Sequence, residues 1–512
     1  MEPTLRASMN WLHTWSGVLL GGLLFAIFWM GTLSVFDREI DRWMAPMTRL
    51  AVSKPAPALD ALRPFYDLAA AAKAPRWAVV LPTERDPVIR VFWQGTSGPD
   101  SHLLNPANGT ELPEPGTWGG SRFIYPFHYM MHIKVWRLGA WIVGLASMAM
   151  LVLCVSGVIV HRKIFVDLFA FRVRSKPRRL ILDLHNVAGV LGLPFHVAIT
   201  LSGLIVFYWV YFPGGWQVVY GNDQRTFFRE GYDTFDRPRL GRSAPLASLD
   251  AMVDRASNLW GGVEPRSIVV QYPGDAASYV QTSRTTTDLI AGAAYFATFD
   301  AATGEFLHLR KPGPIITAQH FVAGLHLVQF RHWTLRWLYF CLGLVGCLLI
   351  ATGYLFWLDS RRKRHIQLGL RGVPAVESLT IGSVTGIVIA TLAFFVVNRL
   401  LPLGVTFLGQ ERAALEVWTF YLVWLAAFGH AWLRPGQAWI EQCRTVAALA
   451  VAAVLLNWIT TGDHPIRSLG SSHLWPIAGM DLMLLGGAAI AALTARKLRH
   501  RTAVARANGA PA

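Results

Sequence analysis

Charged side chains are scarce: Asp, Glu, Lys and Arg make up 15% of the 512 residues, against roughly a quarter in soluble globular domains. So low a share excludes an ordinary soluble enzyme, because much of the chain does not face water. An aromatic content of 12%, with 21 Trp, excludes intrinsic disorder as well. Acid is scarcer than base, 31 Asp and Glu against 47 Lys and Arg, for a formal net charge of +16. Cysteine is rarer still. Cys154, Cys341, Cys347 and Cys443 form no CxxC pair and avoid the polar segments, which excludes a disulfide framework, an iron–sulfur cluster and covalently attached c-type haem. Glycine-rich phosphate loops, a dinucleotide fingerprint and a nucleophile motif are also missing.

Long apolar runs are what the sequence does have. Charge-free stretches at residues 11–36, 138–160, 186–211 and 337–358, and a second set of apolar stretches at about 378–398, 415–433, 445–461 and 474–494, meet or approach the ~20 residues that a membrane-crossing helix needs. The chain reads as an all-α polytopic membrane protein of about eight spans, four forming a core and four added after it. The first run is longer than the apolar core of a signal peptide and no small-residue cleavage site follows, so it is read as retained.

Basic residues locate the cytoplasmic side. They crowd the connectors at 162–182 (Arg162, Lys163, Arg172, Arg174, Lys176, Arg178, Arg179) and 361–375 (Arg361, Arg362, Lys363, Arg364), and the tail at 497–512. Both termini are thereby predicted to be cytoplasmic, and the positive charge reads as topology rather than nucleic-acid binding. With flanks included, the chain divides at 1–36, 37–127, 128–161, 162–182, 183–211, 212–332, 333–360, 361–375, 376–496 and 497–512.

The connectors 37–127 and 212–332 fall outside and are too long to be plain loops. Each predicts a small α+β unit. Residues 247–260 carry helical spacing, 266–271 and 279–282 alternate as strands, and 299–306 reads strand, turn, strand. The first connector repeats this more weakly, with a helix at 59–72, strands at 77–81 and 88–93, and a turn at 105–109. The chain looks like an internal repeat of two spans plus an external unit.

The 16 histidines are concentrated in the first four spans: His13, His128, His132, His161, His185, His196, His320, His326 and His332. The last four spans contribute only His430. His185 and His196 are eleven residues apart, so they share one helix face within roughly 20° and lie about 16 Å apart along the axis. One helix thus offers an imidazole at each of two membrane depths, with His13 level with His185, and with His128, His132 and His326 nearer His196. Haem or metal ligation explains this recurrence. Interfacial anchoring or helix bridging competes for any single residue, and a proton relay competes for the set, although acidic partners are nearly absent from spans one to four. Arg137, Arg331 and Arg336 are candidate partners for haem propionates. Asp481, an acid inside the last span, has no assigned role.

The motifs Leu12-His13-Thr14-Trp15-Ser16-Gly17, Phe127-His128-Tyr129-Met130-Met131-His132, Ser156-Gly157 through His161-Arg162-Lys163-Ile164-Phe165, Asp183-Leu184-His185-Asn186, Pro194-Phe195-His196, Ser202-Gly203 and Gly324-Leu325-His326 together resemble the PepSY-associated transmembrane family, including its di-haem inner-membrane ferric-siderophore reductases. The resemblance covers residues 1 to about 365, and spans five to eight lie outside it. It implies PepSY-like periplasmic units and two b-type haems. It makes His13 and His185 the cytoplasmic-side ligands, with His196, His326 and His132 as candidates for the outer haem and His128 also in reach of it; His161, beside Arg162 and Lys163, is a further cofactor-binding candidate or an interfacial residue. It also implies electron delivery to a ferric siderophore or other ferric chelate; because the cytoplasmic segments are too short to fold into a flavin or nicotinamide domain, the electrons come from membrane quinol or a separate cytoplasmic reductase. A non-enzymatic PepSY envelope module and a metal permease are the alternatives.

Overall fold

The computed structural model describes residues 4–51, 59–96, 98–161, 177–291, 295–310, 313–370 and 372–507. Arg162, Lys163, Ile164, Phe165, Arg172, Arg174 and Lys176 lie outside them. The chain forms two compact units, one built from Met1–Pro46, Gly116–Leu201 and Thr334–Ala512, the other from Met47–Pro115 and Ser202–Trp333.

Among the described residues, eight helices are long and apolar enough to cross a membrane: Leu5–Ser34, Val135–Val160, Arg178–Val206, Trp333–His365, Gly372–Leu400, Arg412–Leu433, Ala438–Thr461 and Ser472–Val504. They are numbered spans 1 to 8. Span 1 begins earlier than its apolar run because Thr4 caps it, its hydroxyl accepting the Ala7 amide. Span 3 stops at Val206, short of the predicted end; Phe207 leaves the helix, and Tyr208–Tyr211 forms a separate turn.

In the first unit, the amphipathic helix Asp37–Met44 docks on the segment Gly119–Ile124, where the Asp41 carboxylate accepts the amides of Gly120 at 2.8 Å and Ser121 at 3.1 Å. Trp43, Met44, Phe123, Phe127, Phe394, Phe395 and Phe420 are fully buried together and tie span 1 to the later spans. Polar groups inside this core are paired. Asp481 accepts from Trp43 Nε1 at 2.8 Å and Asn457 Nδ2 at 3.3 Å; Glu416 accepts from Thr117 and Asn398. The intramembrane acid therefore joins helices, as buried polar groups must to offset their desolvation.

The second unit holds an eight-stranded antiparallel sheet. In chain order the strands are β1 (Arg76–Val80), β2 (Ile89–Gly95), β3 (Gly98–Leu104), β4 (Glu111–Leu112), β5 (Pro265–Gln271), β6 (Tyr279–Arg284), β7 (Phe296–Asp300) and β8 (Phe306–Leu309). Their spatial order is β4-β3-β2-β1-β5-β6-β7-β8. The two predicted α+β units are therefore two halves of one sheet, joined where β1 pairs with β5, for example Val79 with Ile268. Either half alone would present β1 or β5 as an open edge, and pairing removes both. The helices of the halves cap each other. Asp60 accepts the Leu249 amide at 2.8 Å and the Ser248 hydroxyl at 2.6 Å, and Asp250 accepts the Leu59 and Asp60 amides at 2.8 and 2.9 Å. The internal repeat read from the sequence is thus a physical pairing.

Candidate functional site

Spans 1 to 4 line a cavity of about 460 Å³, within the range of roughly 300–1,000 Å³ typical of ligand sites. Arg6, Arg179 and Arg361 stand toward one end, and His13, His185 and His196 lie deeper along its walls. From Arg179 to His196 the helix rises roughly 25 Å, most of a ~30 Å hydrocarbon core.

His13 and His185 face each other across this space, ring centres 6.4 Å apart and planes at 82°. Their Nδ1 atoms are already engaged. That of His13 lies 3.1 Å from the Leu153 carbonyl and 3.1 Å from the Ser156 hydroxyl; that of His185 lies 3.0 Å from the Leu349 carbonyl and 3.4 Å from the Thr352 hydroxyl. A carbonyl only accepts, so each Nδ1 carries the proton and each Nε2 keeps the lone pair that binds metal.

The surroundings of the two rings are copies of each other. The carbonyl at position i of a neighbouring helix and a hydroxyl at i+3 hold the ring, and a glycine at i+4 leaves room for it. These positions are Leu153, Ser156 and Gly157 for His13, and Leu349, Thr352 and Gly353 for His185. Positions i and i+4 share a helix face, and a carbonyl has a second lone pair beyond the one its helix uses. A Cβ added at Gly157 would stand 3.3 Å from His13 Cε1, and one at Gly353 would stand 3.1 Å from His185 Cε1.

Span 1 repeats the pattern around His128. The Ile27 carbonyl accepts from His128 Nδ1 at 2.9 Å, and a Cβ on Gly31 would stand 2.6 Å from His128 Cε1. Burial holds the His128 imidazole below its usual pKa, partly offset by that carbonyl. In the second unit, Ser202 Oγ lies 3.3 Å from His326 Nδ1 and a Cβ on Gly203 would stand 2.8 Å from His326 Cε1. Each of the first four spans thus carries one cradle. The sequence signal of these cradles is a hydroxyl at i+3 and a glycine at i+4, in Leu153-Cys154-Val155-Ser156-Gly157, Ile199-Thr200-Leu201-Ser202-Gly203 and Leu349-Ile350-Ala351-Thr352-Gly353; the segment from Ile27 to Gly31 keeps the glycine but has Met30 in place of the hydroxyl.

The remaining candidates are placed differently. His196 is fully buried in the cavity wall; its ring meets Phe28 edge to face at 5.9 Å. His161 lines the cavity where span 2 ends. His132 stacks on Phe123 and Trp118, and its Nε2 lies 2.8 Å from the Phe123 carbonyl, so it braces the segment before span 2. Arg336 is 1% exposed and pairs with Glu39 at 3.1 Å, which supplies the carboxylate that a propionate was expected to provide. Arg331 pairs with Glu84 at 3.5 Å within the second unit. Arg137 is exposed at the start of span 2. The arginines that line the cavity are Arg6, Arg179 and Arg361.

This donor set fits a haem. Two imidazoles reaching one iron from opposite sides, each at the roughly 2.0–2.1 Å of a metal–imidazole bond, have ring centres roughly 6 Å apart. A metal held by protein alone wants three or four ligands, and among the described residues no three His, Cys, Asp or Glu side chains gather to provide them.

Residues 10–360 match the family model described as PepSY-associated TM region. The chain is also similar to Uncharacterized protein PA4219 of Pseudomonas aeruginosa, with 28% identity over 352 residues, covering 64% of this chain and 85% of that protein.

Proposed function

Because this chain belongs to the PepSY-associated TM region family, and its first four spans set imidazoles in matched cradles, we propose that it is a transmembrane di-haem b oxidoreductase. In this reading it carries electrons across the bacterial inner membrane to a periplasmic ferric chelate, with a ferric siderophore as the acceptor class. The facing pair His13 and His185 carries the proposal. Haem b, when bound, supplies reversible one-electron iron chemistry inside an apolar bundle.

His13 and His185 are assigned to one haem, oriented by the carbonyls and hydroxyls on their Nδ1 atoms. For the second haem, His132, His326 and His128 are candidate ligands, and His128 sits in a cradle of the same kind on span 1. His196 stays a candidate ligand. Both termini are assigned to the cytoplasm and the α+β unit to the periplasm, following the distribution of basic residues. One electron reduces chelated Fe(III) to Fe(II), which hard oxygen chelators hold less tightly. The donor is membrane quinol or a separate cytoplasmic reductase.

Stopped-flow mixing of dithionite-reduced protein with a ferric siderophore tests the activity. The reduced haem bands are expected to bleach as Fe(II) appears to a ferrous-specific dye, and bands that stay reduced at saturating chelate overturn the reductase reading. The length of the same cavity favours a second reading, a metal permease, which requires metal to enter proteoliposomes without reductant.

A further inference from the structure

The cavity is not electrically uniform. Arg6, Arg179 and Arg361 line it on three different spans, while among the described residues its interior walls carry imidazoles and no carboxylate. Counting along the helices, Arg6 lies seven residues from His13, Arg179 six from His185, and Arg361 eight from Gly353, or about 9–12 Å of rise. All three are therefore offset in one direction from the facing imidazoles, by about the distance from the centre of a porphyrin to the carboxylates on its edge.

Among the described residues, two of these guanidinium groups have no counter-ion. Arg6 donates from Nε to the Val160 carbonyl at 3.2 Å. Arg361 donates to the Ser360 hydroxyl at 3.3 Å and lies over the Trp357 ring at 4.8 Å. Neither has a carboxylate within ion-pair distance among the described residues. Arg179 does, pairing with Asp183 at 2.9 Å. The neighbouring Arg178, which does not line the cavity, pairs with Asp359 at 3.7 Å. Cations that close off a cavity this apolar without paired anions call for an anion from the occupant, because a fixed guanidinium fork matches a carboxylate in geometry as well as charge.

We propose that Arg361 and Arg6, with Arg179 beside them, form the site for the two carboxylates of the ligand held between His13 and His185, so that the haem enters with its propionate edge toward these residues. This rests on the haem reading above.

The test uses the full-length protein in detergent, with Arg361→Gln, Arg361→Lys, Arg6→Gln and, as a control, Arg178→Gln. Midpoint potentials are taken by redox titration, and redox-induced infrared difference spectra are recorded in the carboxylate stretching region. Removing a positive charge beside the cofactor disfavours the reduced form, so Arg361→Gln and Arg6→Gln are expected to lower the potential of the centre lost in His185→Ala and to shift its carboxylate bands. Arg361→Lys is expected to restore most of the potential, and Arg178→Gln to change neither signal. Unchanged potentials and carboxylate bands in both Gln variants of a haem-bearing protein overturn this inference alone. A wild type with no haem spectrum overturns the haem reading and this inference with it.

Discussion

The rings of His13 and His185 lie 6.4 Å apart, centre to centre, with their planes at 82°, and each is fixed by a carbonyl, a hydroxyl and a glycine of a neighbouring helix. Two residues 172 positions apart in the chain have thus been given the same environment (185 − 13 = 172). If both ligate one iron, the variants His13→Ala and His185→Ala lose the same haem, and the double variant loses no more than either single one. Residues that act on one centre are expected to be strongly non-additive in this way. Pyridine haemochrome content of the three purified variants checks it.

The glycine of the cradle should matter as much as the ligand. A Cβ at Gly353 would sit 3.1 Å from His185 Cε1, so Gly353→Ala is expected to push the imidazole by a few tenths of an ångström and move the low-spin EPR g values. Gly353→Leu is expected to lose the haem with both histidines still present. Gly486→Ala, where an added Cβ meets nothing within 4 Å, should alter neither.

Arg336 and Glu39 form a buried ion pair, with side chains 1% and 8% exposed. Removing one partner leaves a charge buried without compensation, so Glu39→Ala is expected to cost about 3–5 kcal/mol of stability, seen as a lower thermal midpoint in detergent. Replacing both residues with apolar ones should recover much of the loss. Folded Arg336→Met protein should keep its haem content, since Arg336 does not line the cavity.

Asp41 provides a pH signature. Burial pushes its carboxyl up from 3.8 to about 6, with Asp37 adding to the rise and Arg38 and Ser121 opposing it. An acid whose pKa rises on folding binds protons more tightly in the folded state. Its contribution is therefore most favourable below about pH 4 and is lost as pH rises through about 6. Denaturation midpoints measured from pH 4 to pH 7 should fall across that window in the wild type and lose this slope in Asp41→Asn.

Much of the fold was legible because apolar length and strand alternation are local signals. All eight spans were visible in this way, as were the helix and first two strands of the first connector and the helix and strands of the second; β3 and β4 were not, because Gly98–Leu104 and Glu111–Leu112 carry no apolar alternation. The joining of the connectors was not. Val79 pairs with Ile268 across 189 residues (268 − 79 = 189), and no local pattern declares which strand edge will be covered. The facing of His13 and His185 was legible from matched depth. What kept His132 and Arg336 from the cavity was not, because Phe123, Trp118 and Glu39 are brought to them only by tertiary packing. Asp481 was visible as an anomaly, but its partner Trp43 lies at the far end of the sequence.

The most direct test of the central claim is a reduced-minus-oxidised difference spectrum of the purified full-length protein, with haem counted per chain and compared with His185→Ala. The account predicts b-type α and Soret bands, two haems per chain in the wild type and one in the variant. A wild type without these bands, or a His185→Ala protein that keeps both haems, would contradict it.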